Sequence, residues 1–211
     1  MAINKLKIKE IKSFIQDYNN VSLLAVTKNR DVFDIKELIE NHFTLFGENR
    51  VQEAIKKFQL IKKDHKDISL HLIGPLQSNK AIDALKFFDC IQSIDREKIA
   101  KIIAQNVKQN WCVTKNFFIQ INIGEEKQKS GIEPANTREF YHYCLELGLN
   151  IHGLMCIPPN EENVQEYFNK MINIRDTISN KLVLSMGMSG DYQQAVSCGS
   201  NLIRIGSALF E

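Results

Sequence analysis

The stretch VSLLAVTKNRDVFDIKELIENHFTLFG, residues 21–47, holds one complete unit of the pattern that decides the fold. VSLLAV (21–26) is a short apolar run rich in β-branched side chains, which predicts a buried strand. DVFDIKELIENH then sets apolar residues three and four apart with charges opposite, which predicts an amphipathic helix. FTLFG (43–47) is the next strand. The unit recurs: ISLHLIG at 68–74, CIQSI at 90–94, FFIQINI at 117–123, IHGLMCI at 151–157, LVLSMG at 182–187 and LIRIG at 202–206 bring the strands to eight. Helical stretches such as NRVQEAIKKFQLIKK, DREKIAKIIAQNVKQ, NTREFYHYCLELG and NVQEYFNKMINIRDTI separate them. The fourth and sixth strands are short and carry the weakest signal.

Eight strand–helix units in this length fit a closed parallel barrel better than an open doubly wound sheet, whose first loop normally carries GxGxxG. No such fingerprint occurs. Only SALFE follows the eighth strand, so the amphipathic stretch MAINKLKIKEIKSFIQDYNN at the start takes the place beside it. The expectation is an α/β fold: one (β/α)8 TIM-barrel domain over 1–211, with an additional N-terminal helix and no second β domain.

Hydrophobic residues make up 44% of the chain and charged residues 25%, the composition of a globular protein with a full core. The formal charge is +2 with both signs mixed throughout, which argues against nucleic acid as a partner. No apolar stretch approaches a membrane span, and the lysine-studded N-terminus lacks the unbroken apolar centre of a signal peptide. Five scattered cysteines with no CxxC pair suit reduced thiols in cytoplasm, and five dispersed histidines offer no metal site.

Barrels of this kind collect chemistry at the carboxyl ends of their strands. Those ends present Lys28, Asn49, Gly74, Ser93, Asn122, Met155, Ser185, Ser189, Arg204, Gly206 and Ser207. An amine at the end of a buried strand, in partly apolar surroundings, suits Schiff-base chemistry because desolvation favours the free amine. The plainer alternative for Lys28 is a solvated lysine. The loops SMGMSGD and RIGS, after strands seven and eight, suit an anion: small residues leave backbone N–H groups open, Gly206 permits close approach and Ser207 offers a hydroxyl. Otherwise their glycines merely turn the chain. A lysine and a phosphate cradle several strands away together suit a ligand with both an aldehyde and a phosphate, either pyridoxal 5′-phosphate or a sugar phosphate handled by a class I aldolase. Arg204 is placed to donate to the nitrogen of a bound pyridine ring, or else to form a salt bridge inside the barrel mouth.

VSLLAVTK, FGENRVQE, HLIGPLQSNK, SIDREKIA, QINIGEEKQKSGI, GLMCIPP, LSMGMSGD and LIRIGSALF resemble, in order and spacing over nearly the whole chain, the pyridoxal phosphate homeostasis protein family. HLIGPLQSNK is the most specific of these. The resemblance implies an alanine-racemase-type barrel that holds pyridoxal phosphate as an internal aldimine on Lys28. Arg204 would face the pyridine nitrogen, Ser185, Gly206 and Ser207 would lie on or near the phosphate, and Asn49 would line the pocket. Leu70 and Arg50 stand where the family more often has aromatics.

Racemases of this barrel type need a second acid–base group, a tyrosine from a β-rich domain. Here Tyr18, Tyr141, Tyr143, Tyr167 and Tyr192 fall in predicted helices or loop starts. The expectation is therefore a monomeric, cytoplasmic holder of pyridoxal phosphate without catalytic residues, with apo pyridoxal-phosphate enzymes as acceptors. A racemase or a Schiff-base aldolase is the alternative. His71 reads as an interior histidine satisfied by hydrogen bonds or as one that tunes the pocket. Lys80 lies on a loop suited to a partner or a second anion.

Overall fold

A computed structural model describes residues 3–159 and 163–210; Met1 and Ala2 of the N-terminal stretch and Glu211 of SALFE lie outside them. The strands are β1 (Ser22–Val26), β2 (Leu45–Glu48), β3 (Ser69–Leu72), β4 (Cys90–Ile94), β5 (Asn116–Ile121), β6 (Ile151–Cys156), β7 (Val183–Ser185) and β8 (Leu202–Ile205). The helices are α1 (Lys5–Gln16), α2 (Val32–Glu40), α3 (Val51–Asp64), α4 (Ala81–Phe87), α5 (Glu97–Asn106), α6 (Thr137–Glu146), α7 (Val164–Ile178) and α8 (Tyr192–Ser197). All strands are parallel and close in chain order, β8 pairing back onto β1.

Two cores follow from strand alternation. Outward residues such as Ala25, Phe46, Leu70 and Ile91 pack beneath the helices; Phe46, for example, meets Phe58 of α3 with ring centroids 5.5 Å apart. Inward residues Leu24, Val26, Ile73, Cys90, Phe118, Met155 and Leu202 form a smaller plug inside the barrel. The polar residues of the site stand among and above this plug.

The sequence's two weakest strands are both present, and each carries an irregularity. Between Ile91 and Ile94 the β4–β5 register shifts by one, so Gln92 and Ser93 form a bulge; the β5–β6 register shifts in the same way around His152. A bulge re-aims side chains, which is why it recurs near binding sites.

The N-terminal helix takes the expected place. Asn4 caps α1 by accepting from Lys7 N–H at 2.9 Å, and its own N–H donates to Leu209 O at 2.8 Å. Ile3 bridges Phe210, and Phe14 of α1 stacks edge-on against Tyr192 of α8. α1 thus covers the flank beside β8.

Closure changes one expectation. The phosphate-type loops read as several strands away from Lys28, but β8 is the direct neighbour of β1.

Candidate functional site

Lys28 is exposed, in the turn two residues beyond β1, instead of in the partly apolar pocket its strand suggested. Its backbone, however, is held from below on both sides. Lys57 of α3 donates to Thr27 O at 2.8 Å and pairs with Glu48 at 2.6 Å and Glu53 at 2.9 Å. Glu48 also accepts from the Thr27 hydroxyl at 2.6 Å, and Glu53 accepts from Asn29 N–H at 3.0 Å. The residues flanking Lys28 are therefore clamped by one cluster of charges. Burial raises the Glu48 carboxyl above the usual carboxylate range, whereas the Lys57 ammonium holds Glu53 below it.

Sequence reading missed this clamp, although a signal was available. Lys57 falls on the same helical stripe as Val51, Ala54, Phe58 and Ile61, all of which are buried in the outer core. A lysine on an apolar stripe, four residues after a glutamate, announces a buried ion pair.

Asn49 stands beside Lys28. The register that pairs Val26 with Gly47 brings Lys28 level with Asn49, and both are half or fully open at the rim. Gly74 ends the β3 motif against this segment: a Cβ there would lie 2.3–2.8 Å from Asn49 backbone atoms, so only glycine lets the two loops touch. HLIGPLQSNK thereby positions the residues of FGENR.

Arg204 lies deeper, 3% exposed in the barrel, and forms no salt bridge among the described residues. It donates to Ser185 Oγ at 2.8 Å and to Cys156 O at 2.7 Å. Burial lowers its pKa, and the carboxyl of Asp191 opposes that effect. Two neutral acceptors engage only part of a group with five N–H donors. Ser185 is itself fully buried and donates to Gln92 Oε1 at 2.6 Å, so its hydroxyl is committed to Arg204 and Gln92 and not aimed at the loops above.

The two anion-type loops do come together. Ser189 Oγ, after β7, accepts from Ala208 N–H, after β8, at 3.4 Å. Among the described residues the N–H groups of Ser189, Gly190 and Gly206 have no protein acceptor. A Cβ on Gly206 would rest against Val26 at 3.4 Å, ordinary van der Waals contact, whereas one on Gly190 would meet nothing within 4 Å, so the loop after β7 is open there. Ser207 is exposed at the start of a 3-10 turn, Ser207–Leu209, where N–H groups lack intrahelical partners. Asp191, also missed from sequence, shapes the first loop by accepting from Met188 N–H at 2.5 Å. Tyr192 is buried against Phe14 and contributes nothing to the rim.

His71, read as ambiguous, is a strand residue whose Nδ1 lies 2.7 Å from Gln92 Nε2. Lys80 lines a rim pocket with Asn49, Arg50, Lys56 and Gln77. Among the described residues no group of three or more His, Cys, Asp or Glu could hold a metal, and no helix is long and apolar enough to cross a membrane. The five cysteines are buried and free, and burial pushes the Cys144 and Cys156 thiols up to about 12.

A closed barrel of eight parallel strands in chain order, with helices outside, is the fold of the barrel domain of alanine racemases. The racemase of E. faecalis superposes with a TM-score of 0.73 at 14% identity, over 99% of this chain and 58% of the enzyme. Much nearer is PipY of Synechococcus elongatus: its structure without pyridoxal phosphate superposes with a TM-score of 0.87 at 32% identity, covering 98% of this chain and 99% of PipY. A second PipY structure, with pyridoxal phosphate bound, gives 0.82 at 33% identity. No family model matches the chain. Curated pyridoxal phosphate homeostasis proteins do: that of Haemophilus influenzae is 37% identical over 205 residues, 92% of this chain and 86% of its own length. That of Helicobacter pylori is 34% identical over 97% of this chain and 94% of its own length. The chain belongs to the pyridoxal phosphate homeostasis protein family.

Proposed function

We propose that this protein binds pyridoxal phosphate at the carboxyl-end rim of the barrel and holds it reversibly, as a carrier or regulator of the cofactor. The observation that carries this reading is the vertical pairing of a buried, incompletely engaged guanidinium with open backbone donors and an exposed lysine on adjoining strands. The residues fit the group. Arg204 would donate to the ring nitrogen, the N–H groups of Ser189, Gly190, Gly206 and Ser207 with the Ser207 hydroxyl would take the phosphate, and Asn49 would line the ring's edge. Lys28 would form a Schiff base with the aldehyde. Ser185 serves this site by seating Arg204, on its buried contacts.

When bound, the cofactor supplies an electrophilic carbon and an electron-withdrawing ring. A permanently charged donor at the ring nitrogen keeps that nitrogen unprotonated and the ring a weak electron sink. Level with Lys28 stands Asn49, which moves no protons, Gly206 lies against Val26, and Tyr192 is buried against Phe14. An exposed lysine also lets an amine reach the linkage and displace the cofactor. These features support holding over turnover; the proposal extends to apo enzymes as acceptors, a monomer as the working unit, the cytoplasm as the location and residues 1–211 as the single domain.

The test is an absorption spectrum of the purified protein, reconstituted with pyridoxal phosphate, before and after borohydride, alongside Lys28→Ala. A long-wavelength band that borohydride abolishes, with label fixed on Lys28 and lost in the variant, is the expected result. A protein that cannot be reconstituted but takes up sugar phosphates would favour the aldolase. Racemisation at ordinary enzymatic rates would overturn the carrier role.

A further inference from the structure

A line of hydrogen bonds runs from Arg204 through the inside of the barrel to its opposite mouth. Arg204 donates to Ser185 Oγ at 2.8 Å, Ser185 lies 2.6 Å from Gln92 Oε1, and Gln92 Nε2 lies 2.7 Å from His71 Nδ1. The direction of this chain is fixed by its members. An amide nitrogen only donates, so His71 Nδ1 must be the acceptor, which makes the histidine neutral with its proton on Nε2. Gln92 Oε1 then accepts, so Ser185 donates to it and offers its lone pair to Arg204. Every donor points the same way, from the guanidinium toward the histidine.

The chain spends structure to exist. Gln92 is fully buried and sits in the β4 bulge, which breaks the register between Ile91 and Ile94. His71 faces a pocket at the amino-end mouth, with Asn116, His152 and Asn201. The cofactor site is at the other end.

Resting on the pyridoxal-phosphate reading of Arg204, we infer that Gln92 and His71 are positioning residues that hold the guanidinium in register for the ring nitrogen, and that this hold depends on His71 remaining neutral. A proton on Nδ1 would turn the acceptor into a donor. Gln92 would then have to rotate its amide by half a turn, Ser185 would accept from both Gln92 and Arg204, and its own proton would lose its acceptor. The guanidinium would be held less firmly. Desolvation keeps His71 neutral by lowering its pKa to about 4; among the groups facing it, His152 acts in the same direction and Asp89 opposes. Cys90 on β4, the remaining titratable neighbour, has its thiol pushed up by burial and stays protonated. From β1, β2 and β5 the same pocket receives Ser22, Leu45, Asn116 and Phe118, none of which titrates.

The test measures pyridoxal-phosphate affinity and the position of the bound-cofactor absorption band in the whole protein, across pH, for wild type, Arg204→Gln, Gln92→Leu, His71→Leu and His71→Asn. His71→Asn keeps an acceptor near the Nδ1 position but cannot titrate, so it separates positioning from packing. Gln92→Leu and His71→Leu should each lower affinity by about 10-fold, as expected for losing support of a charged hydrogen bond. They should also move the band toward its place in Arg204→Gln. His71→Asn should recover most of both and remove the part of the acid-side weakening that wild type shows beyond it. If wild type and Arg204→Gln differ while the Gln92 and His71 variants keep the wild-type affinity and band, or if His71→Asn behaves like His71→Leu, the inference is overturned. If wild type takes up no pyridoxal phosphate, the underlying binding reading fails first, and with it this one.

Discussion

Two buried polar groups support the two ends of the site, and they are built on opposite principles. Under Lys28 the support is ionic and lies outside the barrel, where Lys57, Glu48 and Glu53 hold the backbone on either side of a side chain left free. Under Arg204 the support is neutral and lies inside the barrel, where Ser185, Gln92 and the Cys156 carbonyl grip the side chain itself. The difference follows from what each end has to do. A lysine that must meet and release an aldehyde needs a fixed root and a mobile tip, whereas a guanidinium that must match one ring atom needs a fixed tip. Ionic contacts to a carbonyl and a carboxylate tolerate motion above them; a directed hydrogen-bond chain does not.

If the ionic clamp is a closed charge balance, breaking one side should cost most. Lys57→Met leaves Glu48 buried without its ammonium, and urea unfolding should show a loss of about 3–5 kcal/mol. The pair Lys57→Met with Glu48→Gln should recover most of that stability; if it does not, the clamp acts by packing and the contrast with the neutral chain disappears.

The second effect belongs to the neutral chain and has a definite sign. The folded-state pKa of His71 is lowered to about 4 from 6.5, so between these values the unfolded chain takes up a proton that the folded protein refuses. Its contribution to stability is complete above pH 6.5 and fades as pH falls toward about 4, by up to about 3 kcal/mol. Denaturation midpoints across that window should drop more steeply for wild type than for His71→Asn.

Ser185→Ala should follow, at about 1–2 kcal/mol, because it leaves a buried Arg204 N–H and the Gln92 carbonyl without their partner. The smallest effect should come from Glu53→Gln. Glu53 is partly exposed and keeps a carbonyl oxygen for Asn29 N–H, so stability should fall by less than about 1 kcal/mol. Any slowing of borohydride-trappable Schiff-base formation in that variant, measured against wild type, would show that the clamp serves Lys28 more than the fold.

Much of this molecule was legible before folding. The 2-and-3.6 alternation gave eight strands and the helices between them because each element must bury one stripe or both faces, and burial leaves a period in the sequence. Lys28, Asn49, Arg204, Gly206 and Ser207 were legible as rim or mouth residues because they end strands or immediately follow them. That Asn49 stands level with Lys28 and Gly206 with Val26 was not legible, since the register between two strands is not written along either one. The extra residues at Gln92 and His152 were illegible too: a bulge changes pairing between strands without disturbing the apolar pattern along either one. Which partner a buried polar atom finds was likewise left to the fold, because Ser185 of β7 meets Gln92 of β4 only across the inside of a closed barrel, and Gln92 reaches His71 on the neighbouring β3 only from its place in the bulge. The sequence by itself determined the elements and the chemical kinds of residue at their ends, which local periodicity encodes. The tertiary structure alone decided that an ionic clamp would hold Lys28 and a neutral chain Arg204, because Lys57 reaches Thr27 and Glu48 only when α3 packs on β1 and β2, and Arg204, Ser185 and Gln92 meet only inside the closed barrel.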